Sequence, residues 1–125
     1  MSYQRGQDIC DRSFVFATRI VKLCRFLTTQ QHIDPALIRQ LLRSGTSIGA
    51  NVEEAQAGQS AADFIHKYGI ALKEARETRY WLRLFIASDC IEESMIADLL
   101  DEVEQLMKII AAIRISASRR RSSNP

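Results

Sequence analysis

The stretch Ser47–Trp81, SIGANVEEAQAGQSAADFIHKYGIALKEARETRYW, decides the fold. Apolar residues recur in it every three or four positions, the spacing that holds them on one side of an α-helix. The pattern breaks at AGQS, so the stretch reads as the end of one amphipathic helix, a short turn and most of another. Gly58 marks the stop of the first helix. Ser60 with Asp63 resembles a capping box at the start of the second, aspartate being weaker than glutamate in that role.

The same periodicity runs on to either side. A first helix is expected from about Asp8 to Thr29, with Phe16, Ile20, Leu23 and Leu27 on one face. Asp34-Pro35 reads as an N-cap followed by proline at the first helical position. It opens a second helix that extends to about Ala57 and buries Ile38, Leu41, Gly45, Ile48 and Val52. The third helix should reach about Ser88, burying Phe64, Tyr68, Leu72, Ala75, Leu82 and Ile86. After a break at Asp89 to Glu93, a last helix presents Ile96, Leu99, Leu100, Val103, Leu106, Met107 and Ile110. Connections this short make neighbours antiparallel, so the expected fold is an all-α, up-down-up-down four-helix bundle. It should occupy residues 1–115 and leave 116–125, SASRRRSSNP, as a basic, disordered tail.

The chain has 125 residues, 46% of them hydrophobic and 26% charged, enough for one core without metals or disulfides. Cys10, Cys24 and Cys90 are scattered and odd in number, which suits a reducing cytoplasmic compartment. No apolar run is long enough for a membrane span or a signal peptide. The formal net charge is +2, but Arg114, Arg119, Arg120 and Arg121 sit at or beyond the end of the last helix, and without them the chain carries −2. The first helix is rich in Arg12, Arg19, Lys22 and Arg25. The last is rich in Glu92, Glu93, Asp98, Asp101, Glu102 and Glu104. Opposite fields of this kind help helices or subunits align.

Two polar stripes accompany the apolar faces. Gln40, Arg43, Ser47, Asn51 and Glu54 step along the second helix by three or four residues, and Gly45, Gly49 and Ala50 suggest a close backbone approach to a partner helix. A solvated face is the plainer reading. On the third helix Asp63, Lys67, Glu74 and Trp81 share one shoulder. Ile70, Tyr80, Trp81 and Leu84 are expected to project away from the core, which points to a second buried surface and hence to self-association. Asp63 with Lys67, and Lys73 with Glu77, also have the spacing of ordinary helix-supporting pairs.

Catalysis finds little support. His32 and His66 lack neighbours at metal-ligand spacing. Glu53-Glu54 and Glu74/Glu77 lack the Glu-x-x-His partners of a di-iron bundle. There is no phosphate-binding glycine loop and no nucleophile elbow. No catalytic, cofactor-binding or metal-binding residue is therefore expected. Arg19, Lys22, Arg25, Arg119, Arg120 and Arg121 are candidate RNA or DNA contacts, although no recognition-helix or aromatic RNA-binding motif accompanies them. An adaptor for another protein is a further possibility that sequence does not separate from a self-assembling scaffold.

The run Arg43-Ser44-Gly45-Thr46-Ser47-Ile48-Gly49-Ala50-Asn51, then Glu54-Ala55, Asp63-Phe64 and Lys67, resembles the four-helix-bundle proteins of the 23S rRNA intervening-sequence family. The likeness continues through Ala71-Leu72-Lys73-Glu74-Ala75-Arg76-Glu77-Thr78 to Tyr80-Trp81-Leu82. The resemblance implies a small bacterial protein without an assigned biochemical activity that assembles into ring-like homopentamers. It also brings in the related accessory proteins of diversity-generating retroelements, strongly basic pentamers that bind nucleic acid and a reverse transcriptase. This chain lacks their basic surplus. The expected interface residues are Asn51, Glu54, Lys67, Glu74, Glu77, Tyr80, Trp81 and Leu84.

Overall fold

The computed structural model describes the backbone of residues 2–123 and the side chains of residues 8–123. Four helices account for almost all of it: α1 Ser2–Thr28, α2 Pro35–Gln56, α3 Ala61–Ala87 and α4 Glu93–Ser123. Their starts follow the local chemistry. Asp34 Oδ1 accepts the Ala36 amide at 2.9 Å, with Pro35 at the first helical position. Ser60 Oγ accepts the Asp63 amide at 3.1 Å. Asp63 turns instead to Lys67 Nζ, 3.4 Å away, so only half of a capping box forms. Between α3 and α4, Asp89 takes φ 59°, a left-handed conformation that aspartate tolerates better than most residues.

Contacts between helices set the topology. Moving along α1 from Ser13 to Ile20 moves back along α2 from Gly49 to Gly45. On α2 and α3 the partners run from Arg43 with Glu74 to Gln56 with Tyr68. On α3 and α4 they run from Gly69 beside Arg114 to Arg79 with Glu104. Each pair is antiparallel, and α1 closes the square against α4 through Arg12 and Glu102. The core they enclose is headed by Tyr68, Phe16 and Phe85, with Ile20, Leu41, Ile48, Leu82, Leu106 and Ile110 fully buried.

Two expectations need correction. Gly45 and Gly49 are tight-approach sites, but the partner helix is α1 of the same chain. A Cβ at Gly45 would stand 2.8 Å from Ile20 Cγ2, and one at Gly49 3.2 Å from the Ser13 carbonyl oxygen. The second concerns the tail: α4 continues as helix through Ser123, and Ala117 is buried within the stretch expected to be disordered. No proline or glycine interrupts the chain between Glu93 and Ser123, so nothing there opposes helix.

Candidate oligomer interface

The polar stripe of α2 and the shoulder of α3 meet each other. Arg43 Nη1 donates to Glu74 Oε2 at 2.9 Å, and Arg43 Nη2 donates to Glu77 Oε1. Glu77 also accepts from the Trp81 indole at 3.4 Å. Beneath them Thr78 Oγ1 donates to Ser44 Oγ at 2.9 Å, both side chains being fully buried. Glu74 is only 7% exposed, so sequence periodicity placed it too far outward. Arg43 folds across it from α2, and only the paired helices create that cover. Every buried side-chain nitrogen or oxygen among the described residues has a partner.

Hydrogen bonding to Arg43 holds the Glu77 carboxyl below the usual glutamate range, against the opposing effect of burial. A lowered folded pKa means the bridge contributes stability above the unfolded value of about 4.3 and loses it as pH falls through the folded value. Thermal melts should therefore weaken from about pH 4.3 downward. In Arg43→Ala this component of the acid sensitivity should be smaller. Identical acid profiles for the two proteins would dismiss the bridge as its source.

The other expected interface residues divide into two groups. Asn51 is half-buried and donates to the Ser47 carbonyl at 2.8 Å, within its own helix. Glu54 is exposed, and Lys67 is half-buried beside Asp63. Trp81, expected to face water, lies half-buried against the core, with its ring edge-on to Tyr80 at 5.2 Å between centroids. Ile70 and Leu84 are also half-buried. Tyr80 alone of that set is well exposed, at 54%. The other exposed large apolar side chains are Phe14, Val15 and Phe26 on α1, Leu42 on α2, and Met95 and Ile115 on α4. The three on α1 fall on its charged side, opposite its apolar stripe.

The candidate nucleic-acid contacts do not converge. Arg19, Lys22, Arg25, Arg119, Arg120 and Arg121 are all exposed. In the antiparallel pairing of α1 and α4, with Arg12 beside Glu102, the α1 group lies roughly 40 Å along the bundle from the α4 group, at about 1.5 Å per residue. The three consecutive arginines on α4 point about 100° apart around its axis. Arg120 turns back to Ser116 Oγ at 3.0 Å.

His32 Nε2 lies 3.2 Å from the Cys90 carbonyl oxygen, linking the loops at one end of the bundle. His66 is exposed. Among the described residues no group of three His, Cys, Asp or Glu could hold a metal ion. Burial pushes the Cys24 thiol up to about 11, which removes the thiolate needed for nucleophilic chemistry. No helix among the described residues is long and apolar enough to cross a membrane.

Fold and surface together define a small all-α four-helix protein. The chain belongs to the 23S rRNA-intervening sequence protein family, whose sequence profile matches residues 5–112. It is similar to a solved structure from Bacteroides thetaiotaomicron, described as a protein with unknown function from the S23 ribosomal protein family. The two are 43% identical, the match covers 88% of this chain and 97% of the other, and the TM-score is 0.83. Among curated proteins, none matches.

Proposed function

We propose that this protein is a non-enzymatic, cytoplasmic scaffold whose copies assemble with one another, as a homopentamer. The observation that carries this reading is the outward apolar surface on separate helices: Phe14, Val15 and Phe26 on α1, and Tyr80 on α3. One exposed apolar residue is ordinary, whereas several large ones on a single small bundle favour burial against a partner. Tyr80, with the flanks of Trp81 and Leu84, supplies an aromatic anchor of the kind enriched at interfaces. Of the expected polar residues, Glu54, Lys67 and Glu77 would frame it as rim, whereas Glu74 is covered by Arg43 and Asn51 bonds within its own helix.

Size-exclusion chromatography with light scattering tests the reading directly. A mass of five subunits at micromolar concentration is expected, and a monomer would sink the proposal. Trp81→Ala should weaken assembly more than Lys67→Ala, because anchors outweigh rim charges. Since Trp81 also packs on the core, its effect must be read beside a thermal melt, with Tyr80→Ala as the variant that spares stability. Equal losses from Tyr80→Ala and Lys67→Ala would remove the aromatic anchor from the account.

RNA or DNA binding is the second reading, supported by the exposed guanidiniums of Arg119 and Arg121. Repetition of this end around a ring would combine weak contacts by avidity. Gel shifts at low salt that persist unchanged after removal of residues 117–125 would rule out the α4 end as the contact.

A further inference from the structure

We propose that the groove between the C-terminal half of α1 and the N-terminal half of α2 binds a small amphipathic carboxylate, its aliphatic chain lying along the groove and its head group between Arg25 and Arg39. The proposal stands apart from self-assembly. Helical spacing builds the walls. Val21, Cys24 and Thr28 step along α1 by three and four residues, and Pro35, Ile38 and Leu42 do the same along α2. Each wall is therefore one face of two helical turns, about 10 Å long. The loop between the helices closes one end with Gln30 and Ile33. The space enclosed is about 560 Å³. Clefts that hold small ligands usually measure about 300–1,000 Å³ and are mostly apolar with a few placed polar groups.

Charge enters only at the rim. Cys24 and Ile38 are buried beneath it, and Cys24 Sγ donates to the Ile38 carbonyl at 3.8 Å. Arg25 follows Cys24 and Arg39 follows Ile38, so this contact sets the two arginines at one level on opposite walls. Both are exposed, neither has an ion-pair partner among the described residues, and no acidic residue lines the groove. Like charges flanking an apolar cleft repel each other, and an anion seated between them replaces that repulsion with two attractions. A guanidinium also presents a planar fork of donors that matches a carboxylate.

The sign is particular to this groove. Asp89, Glu92 and Glu93 line the one that includes Phe26 and Met95, and Asp8 and Asp11 line the one beside Ile109. A docked peptide helix is the poorer occupant, because it needs an apolar stripe that runs on along the bundle. Here the lining ends at Val21 and Leu42, after two turns.

Isothermal titration calorimetry of the full-length protein with decanoate tests the proposal. Saturable binding of one decanoate per subunit is expected, with affinity rising about threefold for each methylene added between hexanoate and decanoate. Arg25→Gln with Arg39→Gln should weaken decanoate binding at least about tenfold through loss of charge-assisted hydrogen bonds. Thermal melts of that variant should stay near wild type, since both side chains are exposed. Leu42→Glu sets a carboxylate in the groove from outside the core and should abolish binding. Decylammonium, with the same chain and the opposite charge, should give no saturable heat.

A wild-type protein without saturable decanoate binding overturns the proposal. So does a folded double-glutamine variant, or Leu42→Glu, that binds decanoate as tightly as wild type. Decylammonium bound as well as decanoate would remove the arginines from the account, and decyl phosphate preferred over decanoate would overturn the carboxylate assignment.

Discussion

Truncating Tyr68 to alanine is expected to lower the unfolding free energy by about 3–5 kcal/mol, the range for removing a buried aromatic. The side chain is fully buried, its ring stacks on Phe64 at 4.5 Å between centroids, and its hydroxyl accepts a hydrogen bond from Gln56 at 2.7 Å. Alanine would empty the loop-proximal end of the α2–α3 contact and leave the Gln56 amide without that partner. Tyr80→Ala removes the same atoms from an exposed side of α3 and should change stability by no more than about 0.5 kcal/mol. Urea unfolding of the two variants gives the comparison. Midpoints displaced equally would mean that burial does not separate these tyrosines and that the packing described is wrong.

Gly45→Ala should destabilise the protein by about 1–3 kcal/mol, although alanine outranks glycine in helix propensity by about 1 kcal/mol. The new methyl would stand 2.8 Å from Ile20 Cγ2 and 2.9 Å from Ile20 Cγ1. Both atoms branch directly from Cβ, and a β-branched side chain in a helix has one strongly preferred rotamer, so Ile20 cannot swing aside. Either α1 moves away from α2 or the rotamer is strained. Ile20→Ala removes the obstruction at the cost of a cavity. The double variant should therefore be less destabilised than the sum of the singles, a coupling measurable by a double-mutant cycle. Strict additivity, or a Gly45→Ala protein more stable than wild type, would refute the close approach.

What the sequence disclosed, and what it withheld, follow from the range of each interaction. Ile38, Leu41, Gly45, Ile48 and Val52 are all buried as their spacing requires, because one helix's own period settles which of its faces is apolar. The Asp34-Pro35 start was equally readable, since a cap is made within a few residues. Ser44 and Thr78 were not, because a buried hydroxyl pair exists only once two helices meet, and either residue alone looks like surface. Glu74 belongs with them: its cover comes from Arg43, thirty-one positions earlier. Trp81 shows the limit of a helical wheel, which places the Cα direction while a large ring can still lean back onto the core.

The outward face of the molecule was the least readable part. Phe14, Val15 and Phe26 interrupt a charged flank of α1 without any period of their own, so no pattern distinguishes them from chance. The wheel sets them away from the α1 core stripe, and their exposure is known once the packing of all four helices shows that nothing in the subunit covers that side. Gly58 gives a similar lesson on a smaller scale. It ends α2 as expected, yet no glycine among the described residues has a positive φ. Its role is room, since a Cβ there would stand 2.9 Å from the Ala55 carbonyl oxygen.

The clamp between Arg12 and Glu102 is the one ion pair joining the first and last helices among the described residues, and an open groove of about 430 Å³ lies beside it, between Asp8 and Ile9 on one wall and Ile109 and Ile113 on the other. The bundle is consequently zipped along three edges and only latched along the fourth. Amide protons of the outer segments should exchange with solvent ahead of those in the central hairpin, because peeling either end exposes little that three firm edges do not still hold.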